Sequence, residues 1–396
     1  MTDRRDFLKM AGLASASLFV PKIVSASNLA GARTNDRVLV IIQLDGGNDG
    51  LNTVIPYRSD IYYSKRPRLA ISGSESLRIT DELALHPALM GMRQLLDNGE
   101  MAIVNSVGYE NPNRSHFRST DIWETASNSD EYLNTGWIGR TLDTHLNPNP
   151  YNALELNNRL SIAMKGRDIK GLAIKDPSKL FKQTTVPFIA SIAAENHHLQ
   201  HHHNEVDFLH KTLRETVSSA AYIHEKSKIY SSTKTYPGNN LGKALKTSAE
   251  LIISGSNTSI YYVSHSGFDT HSGQAGKQKR LLEQYDKAVS AFVSDLKQNN
   301  RFKDVAILTF SEFGRRVAQN ASGGTDHGAA NCSWVIGGGL KKASAINASP
   351  DLSDLDHGDL KYQVDFRQLY ATLLNGWLGQ DSERILGGRF DDLGIV

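Results

Sequence analysis

The run "RVLVIIQL", residues 37–44, constrains the fold more than any other part of the chain. An aliphatic stretch of this length without a polar face forms a strand buried on both sides, and such strands belong to sheets with helices on each face. The rest of the chain repeats the theme. "ALMGMRQLLDNG" has helical spacing and stops at glycine, "MAIVNSVGY" is a second strand, and "RSHFRSTDIWETAS" is a helix after a turn. Later come "TSIYYVSHSG", the helical "KQKRLLEQYDKAVSAFVSDLKQN", the strands "DVAILTFSEFG" and "CSWVIGGGL", and a closing helix "DFRQLYATLLNGWLG". The expected class is α/β, a mainly parallel sheet sandwiched by helices. In open sheets of this kind ligands bind beyond the carboxyl ends of the strands. That gives a reason for "LDGGNDGLN", residues 44–52, where acids, asparagines and glycines crowd the end of the first core strand.

Composition narrows the chemistry. Lysine plus arginine (44) nearly balance aspartate plus glutamate (42), so no bulk field draws the protein to nucleic acid, and no basic-aromatic pattern supports nucleic-acid binding. The single cysteine, Cys332, excludes an internal disulfide and any cysteine-clustered metal site. Metal binding would fall to histidine and carboxylates. "GNDG" and the glycines at 337–339 lack the endings and spacing of phosphate-binding loops and are read as turns.

The amino terminus has the three regions of an export signal. Arg4 and Arg5 precede the moderately apolar "MAGLASASLFVP", and "VSAS" supplies small residues for cleavage after Ala26. The paired arginines are of the twin-arginine type, although Asp3 replaces the usual serine or threonine. Residues 1–27 are therefore expected to be a signal peptide, the twin-arginine translocase a partner, and the destination periplasmic or extracellular. No second apolar segment of about 18 residues is present, so no stable membrane span is expected after cleavage.

Residues 28–396 are expected to form one domain, with 150–245 as an insertion or cap because the strand and helix alternation fades there. A long polar helix, "NEVDFLHKTLRETVSSAAYIHEKSKIYSS", is its clearest element. "HHLQHHH", residues 197–203, is read as a solvated tract more readily than as a metal collector, since no carboxylates are spaced among its histidines.

Polar clusters recur at strand ends. Asp45, with Asn48 and Asp49, follows the first strand, and Arg114, Ser115 and His116 begin the helix after the second. Asp269 and His271 follow "IYYVSHSG"; Glu312 and Arg315 follow "VAILTF"; Asp326 and His327 lie shortly beyond. Helix capping, turns and local ion pairs account for each cluster taken alone. Their recurrence at one sheet edge is what a divalent metal site needs, because zinc and manganese accept both imidazole and carboxylate. Trp123 and Trp137 are read as packing anchors, and His265 as either a core histidine or a group supporting the site.

The motifs "LDGGNDGLNTVIPY", "NRSHFRSTDIWET", "TGWIGR", "SGFDTHSGQ", "TFSEFGRR" and "GGTDHG" resemble the bacterial family known as domain of unknown function 1501, over essentially the whole mature chain. That family in turn resembles the alkaline phosphatase and sulfatase superfamily. The resemblance implies an alkaline phosphatase-like fold and an exported hydrolase of phosphate or sulfate esters with two-metal, serine-nucleophile chemistry. It implies Ser115 as nucleophile, Asp269, His271 and His327 around one metal, and Asp45 with Glu312 around the other. Asn48, Arg114, His116, Arg315 and Asp326 would support these groups or the bound anion. The cofactor would be one or two divalent ions, zinc or manganese, and the substrate an anionic small-molecule or polymer ester. Two features depart from the superfamily: "DTH" is spaced more tightly than usual, and Phe313 stands where a metal-binding histidine is expected. The alternative is a non-catalytic periplasmic or surface protein that keeps the fold for binding or assembly.

Overall fold

The computed structural model describes residues 36–146, 148–194 and 205–396. The expected signal peptide, residues 1–27, and the histidine tract 197–203 lie outside the described residues.

Eight strands form the main sheet: β1 (Val38–Asp45), β2 (Met101–Gly108), β3 (Ala153–Glu155), β4 (Leu172–Ala173), β5 (Ile260–Ser266), β6 (Val305–Phe310), β7 (Asn331–Gly337) and β8 (Val364–Asp365). Their order across the sheet is β8-β2-β7-β6-β1-β5-β3-β4. β1 pairs in parallel with both β5 and β6, and β3 continues the parallel set beyond β5. β7 alone runs the other way, between β6 and β2. β2 therefore points the same way as β1, and seven carboxyl ends share one edge.

The helices that position the site are α1 (Met90–Asp97), α2 (His116–Thr125), α3 (Pro177–Thr184), α4 (Glu205–Ser227), α5 (Asn240–Ile253), α6 (Gln274–Gln298) and α7 (Phe366–Thr372). They cover both faces of the sheet, and β1 shows why its sequence has no polar face. Val38, Val40, Ile42 and Leu44 enter one core with Met92 of α1, Leu245 of α5 and Leu282 of α6. Leu39 and Ile41 enter a second core with Ile122 and Trp123 of α2 and Leu369 of α7. Successive strand residues point to opposite faces, so both sets must be apolar. Each such buried side chain contributes about 1.5–3 kcal/mol. The mainly parallel, helix-sandwiched architecture read from the sequence is present.

Residues 150–245, expected as an insertion or cap, contribute two strands to the main sheet. β3 and β4 come from this segment and extend the main sheet beyond β5, and α3, α4 and α5 follow them. These strands are only two or three residues long, too short for periodicity to reveal. Trp123 and Trp137 are buried, Trp123 stacking on Phe310 at 4.6 Å. His265 is a core histidine, with Nε2 3.0 Å from the carbonyl of Leu281. Among the described residues, no helix is long and apolar enough to cross a membrane.

Candidate metal centre

The glycines after β1 allow three loops to meet. Gly46 has φ +115°, and a Cβ there would lie 2.5 Å from the backbone nitrogen of Asp269. Gly47, at φ +69°, would drive a Cβ to 2.3 Å from the Phe313 ring. Glycine tolerates both the conformation and the approach. Arg315, with its side chain fully buried, locks the junction: Nε donates to the Gly47 carbonyl at 2.6 Å, one terminal nitrogen donates to Thr325 O at 2.8 Å, and the other donates to the carbonyls of Gly46 and Phe268. The same nitrogen reaches Asp269 Oδ1 at 2.8 Å. Behind it, Gln274 donates to Asp49 and accepts from Thr325 at 2.6 Å, while Arg66 pairs with Asp49 at 2.6 Å. The polar residues of the first loop thus serve largely as buried scaffolding.

Three imidazoles converge on Asp269. His116, the first residue of α2, holds Nδ1 2.8 Å from Glu312 Oε1. His271 holds Nδ1 3.1 Å from Asp326 Oδ1, and His327 holds Nδ1 2.8 Å from the carbonyl of Arg114. A carbonyl only accepts, and so does an ionised carboxylate, so in each neutral ring the proton sits on Nδ1 and Nε2 keeps its lone pair. The Nε2 atoms of His271 and His327 lie 3.0 and 3.2 Å from Asp269 Oδ1, and that of His116 lies 3.6 Å away. Those of His271 and His327 are 2.9 Å apart, with no proton between them in the neutral rings. Nε2 of His116 is buried with no hydrogen-bond partner.

Lone pairs facing one another at this distance are unfavourable among themselves and suited to a cation. The outer partners are those that orient metal-ligating histidines, carboxylates and a backbone carbonyl on the far nitrogen. Ligand atoms of His116, Asp269 and His327 all lie within 4.8 Å of one another, so they can share one ion. Nitrogen and carboxylate donors in this number fit zinc or manganese.

The electrostatics agree. Burial would raise the Asp269 carboxyl, but Arg315, joined by His327 when that ring is protonated, outweighs it and brings the pKa down to about 2, so it is ionised at neutral pH. The hydrogen bond to Glu312 raises His116 above the ordinary imidazole range, against burial, which lowers it. Asp45 is pushed up by burial and then by the neighbouring charge of Glu312.

The expected site residues do not all meet in the histidine cluster. Among the described residues His116, Asp269 and His327 are the one group of three or more such side chains whose ligand atoms could share an ion, and Asp45 and Glu312, expected around a second metal, lie close enough together for the Glu312 charge to act on the Asp45 carboxyl. Glu312 is fully buried and spends Oε1 on His116 and on the Gly46 N–H at 2.9 Å. His116, expected in a supporting role, is one of the three residues whose ligand atoms lie close enough together to hold an ion. Ser115 is exposed at the N-cap of α2, and its side chain makes no capping hydrogen bond. Asn48 is buried against Thr53 and Gln278, outside the cluster. Arg114 pairs with Asp359 and contributes its carbonyl to His327. Phe313 packs 4.8 Å from both the His116 and His327 rings and forms an apolar wall where an extra ligand was expected. The signal for His116 was the "RSHF" at a helix start, but sequence alone does not say whether serine or histidine turns inward.

Beside the cluster lies a cleft of about 470 Å³, lined by Arg114, Glu312 and Phe313 on the metal side and by Tyr109, Trp123 and Tyr362 further out.

Fold and site together define an α/β protein with a histidine and carboxylate centre, able to hold one metal ion, at the carboxyl edge of a parallel sheet. The chain belongs to the family described as "Protein of unknown function (DUF1501)", whose model matches residues 108–392. No curated protein matches it. Among solved structures it is similar to the zinc complex of the carboxyl-terminal periplasmic domain of EcEptC from Escherichia coli, at 12% identity and a TM-score of 0.37, covering 78% of this chain and 74% of that one. It is similar also to the lipoteichoic acid synthase LtaP from Listeria monocytogenes, at 9% identity and a TM-score of 0.43, covering 91% and 76%. The phosphonate monoester hydrolase SpPMH from Silicibacter pomeroyi gives 8% identity and a TM-score of 0.39, covering 91% and 78%. At such scores these likenesses carry no inference about activity.

Proposed function

We propose that this protein is a single-metal hydrolase of phosphate or sulfate esters. The observation that carries the reading is the convergence of three Nε2 lone pairs on Asp269 Oδ1, each imposed by an acceptor on the opposite ring nitrogen. His116, Asp269 and His327 would hold the ion, with His271 as a fourth ligand. A bound divalent ion would polarise the ester and supply a nucleophile at neutral pH. The chain's own residues do the rest. Glu312 and Asp326 keep the imidazoles turned inward, and Arg315 keeps Asp269 ionised and in place. Phe313 and the aromatic residues of the cleft give the organic part of the ester an apolar wall. With the export expected from residues 1–27, the substrate is an ester met outside the cytoplasm.

The test is elemental analysis of the untagged mature protein, followed by assay of aryl phosphate and aryl sulfate esters. Near-stoichiometric zinc or manganese, with turnover that Asp269→Ala abolishes, is expected. Metal-free protein, or turnover indifferent to Asp269→Ala, refutes the reading.

A further inference from the structure

A second concavity opens on the same sheet edge, on the other side of β1 from the aromatic cleft. It has a volume of about 610 Å³ and is formed where β3, β4 and β5 end. Its rim carries Lys175, Lys179, Lys243, Asn157, Asn240 and Ser266, and its floor is apolar, with Leu156 and Ile174. Three cations face one carboxylate, Asp176, whose Oδ1 already accepts the Lys179 backbone N–H at 3.0 Å. The ion pairs of this region, Lys211 with Glu215 and Lys246 with Glu250, use other lysines. Among the described residues, Lys175, Lys179 and Lys243 have no ion-pair partner.

The lysines also stand where folding does not favour them. Lys179 lies in the first turn of α3 and Lys243 directly after the first three residues of α5, and neither first turn contains an acid. The amino end of a helix carries partial positive charge, so cations there oppose the dipole, whereas an anion placed among them meets both. Three lysines around a bowl repel one another until such an anion arrives.

We propose that this bowl binds a ligand carrying more than one anionic oxygen-rich group, such as adjacent phosphates or sulfates on an oligomer. The size argues against a single small ion, since pockets of this volume hold molecules of many atoms. The amides of Asn157 and Asn240 add donors for oxyanion oxygens, and the apolar floor takes the backbone that joins the groups. The bowl adjoins the metal centre: Ser266 lies opposite Asp45 in the β1 and β5 register, and Asp269 is three residues further along, a reach of at most about 11 Å. An extended polyanion could therefore occupy the bowl and pass toward the centre, although binding in the bowl does not depend on a metal.

Calorimetric titration of the mature protein with tripolyphosphate, a sulfated disaccharide and inorganic phosphate tests this. The triple variant K175Q/K179Q/K243Q, with a melting temperature like that of the parent, is expected to bind tripolyphosphate on the order of tenfold more weakly. His327→Ala, which disables the metal centre, is expected to bind it as the parent does. The sulfated disaccharide should follow tripolyphosphate in both variants, and inorganic phosphate should bind far more weakly than either. Unchanged binding by the triple variant, loss of binding in His327→Ala, or inorganic phosphate binding as tightly as tripolyphosphate would each overturn the proposal. A triple variant that unfolds is replaced by the single variant Lys243→Gln under the same criteria, with a smaller but resolved loss.

Discussion

The two ends of α2 place ionisable groups in opposite situations. At its start His116 faces Asp269, a carboxyl brought down to about 2 despite some burial, with the Arg315 guanidinium beside it. Two turns later Glu124 is buried beside Glu155, and burial with that neighbouring charge pushes it up to about 8. Glu124 accepts the Ile162 N–H at 3.1 Å and Glu155 the Ser161 N–H at 2.7 Å, and Lys165 acts on Glu155 from beyond ion-pair distance, but among the described residues no guanidinium pairs with either carboxyl. The carboxyl end of a helix also disfavours a negative charge. The same side-chain chemistry is thus kept ionised where a cation is wanted and neutral where the core closes. Whether a guanidinium reaches the site decides which.

The largest effect expected from this contrast is on Arg315. Its replacement by methionine leaves Asp269 and four backbone carbonyls without their donor, and should cost about 3–5 kcal/mol. Urea denaturation would measure it; a loss under 1 kcal/mol would mean that Asp269 is held by other means. Next comes Glu124. Its folded pKa is above the unfolded value, so its contribution is fully present below about pH 4.5 and is lost as pH rises through about 8. Relative to Glu124→Gln, the parent should lose on the order of 2–4 kcal/mol across that window. Parallel stability curves for the two proteins would remove the contrast.

A smaller effect is expected at Glu312. Glu312→Gln keeps the shape but no longer imposes Nδ1–H on His116, and zinc affinity should fall by about 10–100-fold, read by competition with a chelator. Unchanged affinity would show that His116 is not a ligand. Smallest of all is Ser115→Ala, which should alter zinc affinity by less than about twofold, since an exposed surface change rarely matters. If it abolishes ester turnover while metal stays bound, the serine acts as the nucleophile that the superfamily resemblance implied.

Much of this protein was legible along the chain. "RVLVIIQL", "MAIVNSVGY" and "VAILTF" are core strands because both faces are apolar, a local property that no neighbour needs to supply. The parallel sheet followed from their alternation with helices, and the sheet implied the edge at which polar residues would gather. Asp269, His271 and His327 were among the residues that reasoning gathered at the edge, and the fold brings their side chains within hydrogen-bond distance of one another. What tertiary structure decided is how those residues divide the work. Whether Ser115 or His116 turns inward depends on the angle at which α2 leaves its cap, and that angle brings the His116 ring to Glu312. β3 and β4 were invisible because two or three residues have no period to read, and they are strands only because β5 offers an open edge. The bowl of lysines is likewise assembled from segments nearly seventy residues apart. Propensity and periodicity act over a few residues and are written in the sequence; convergence of side chains on a point is set by how the elements pack.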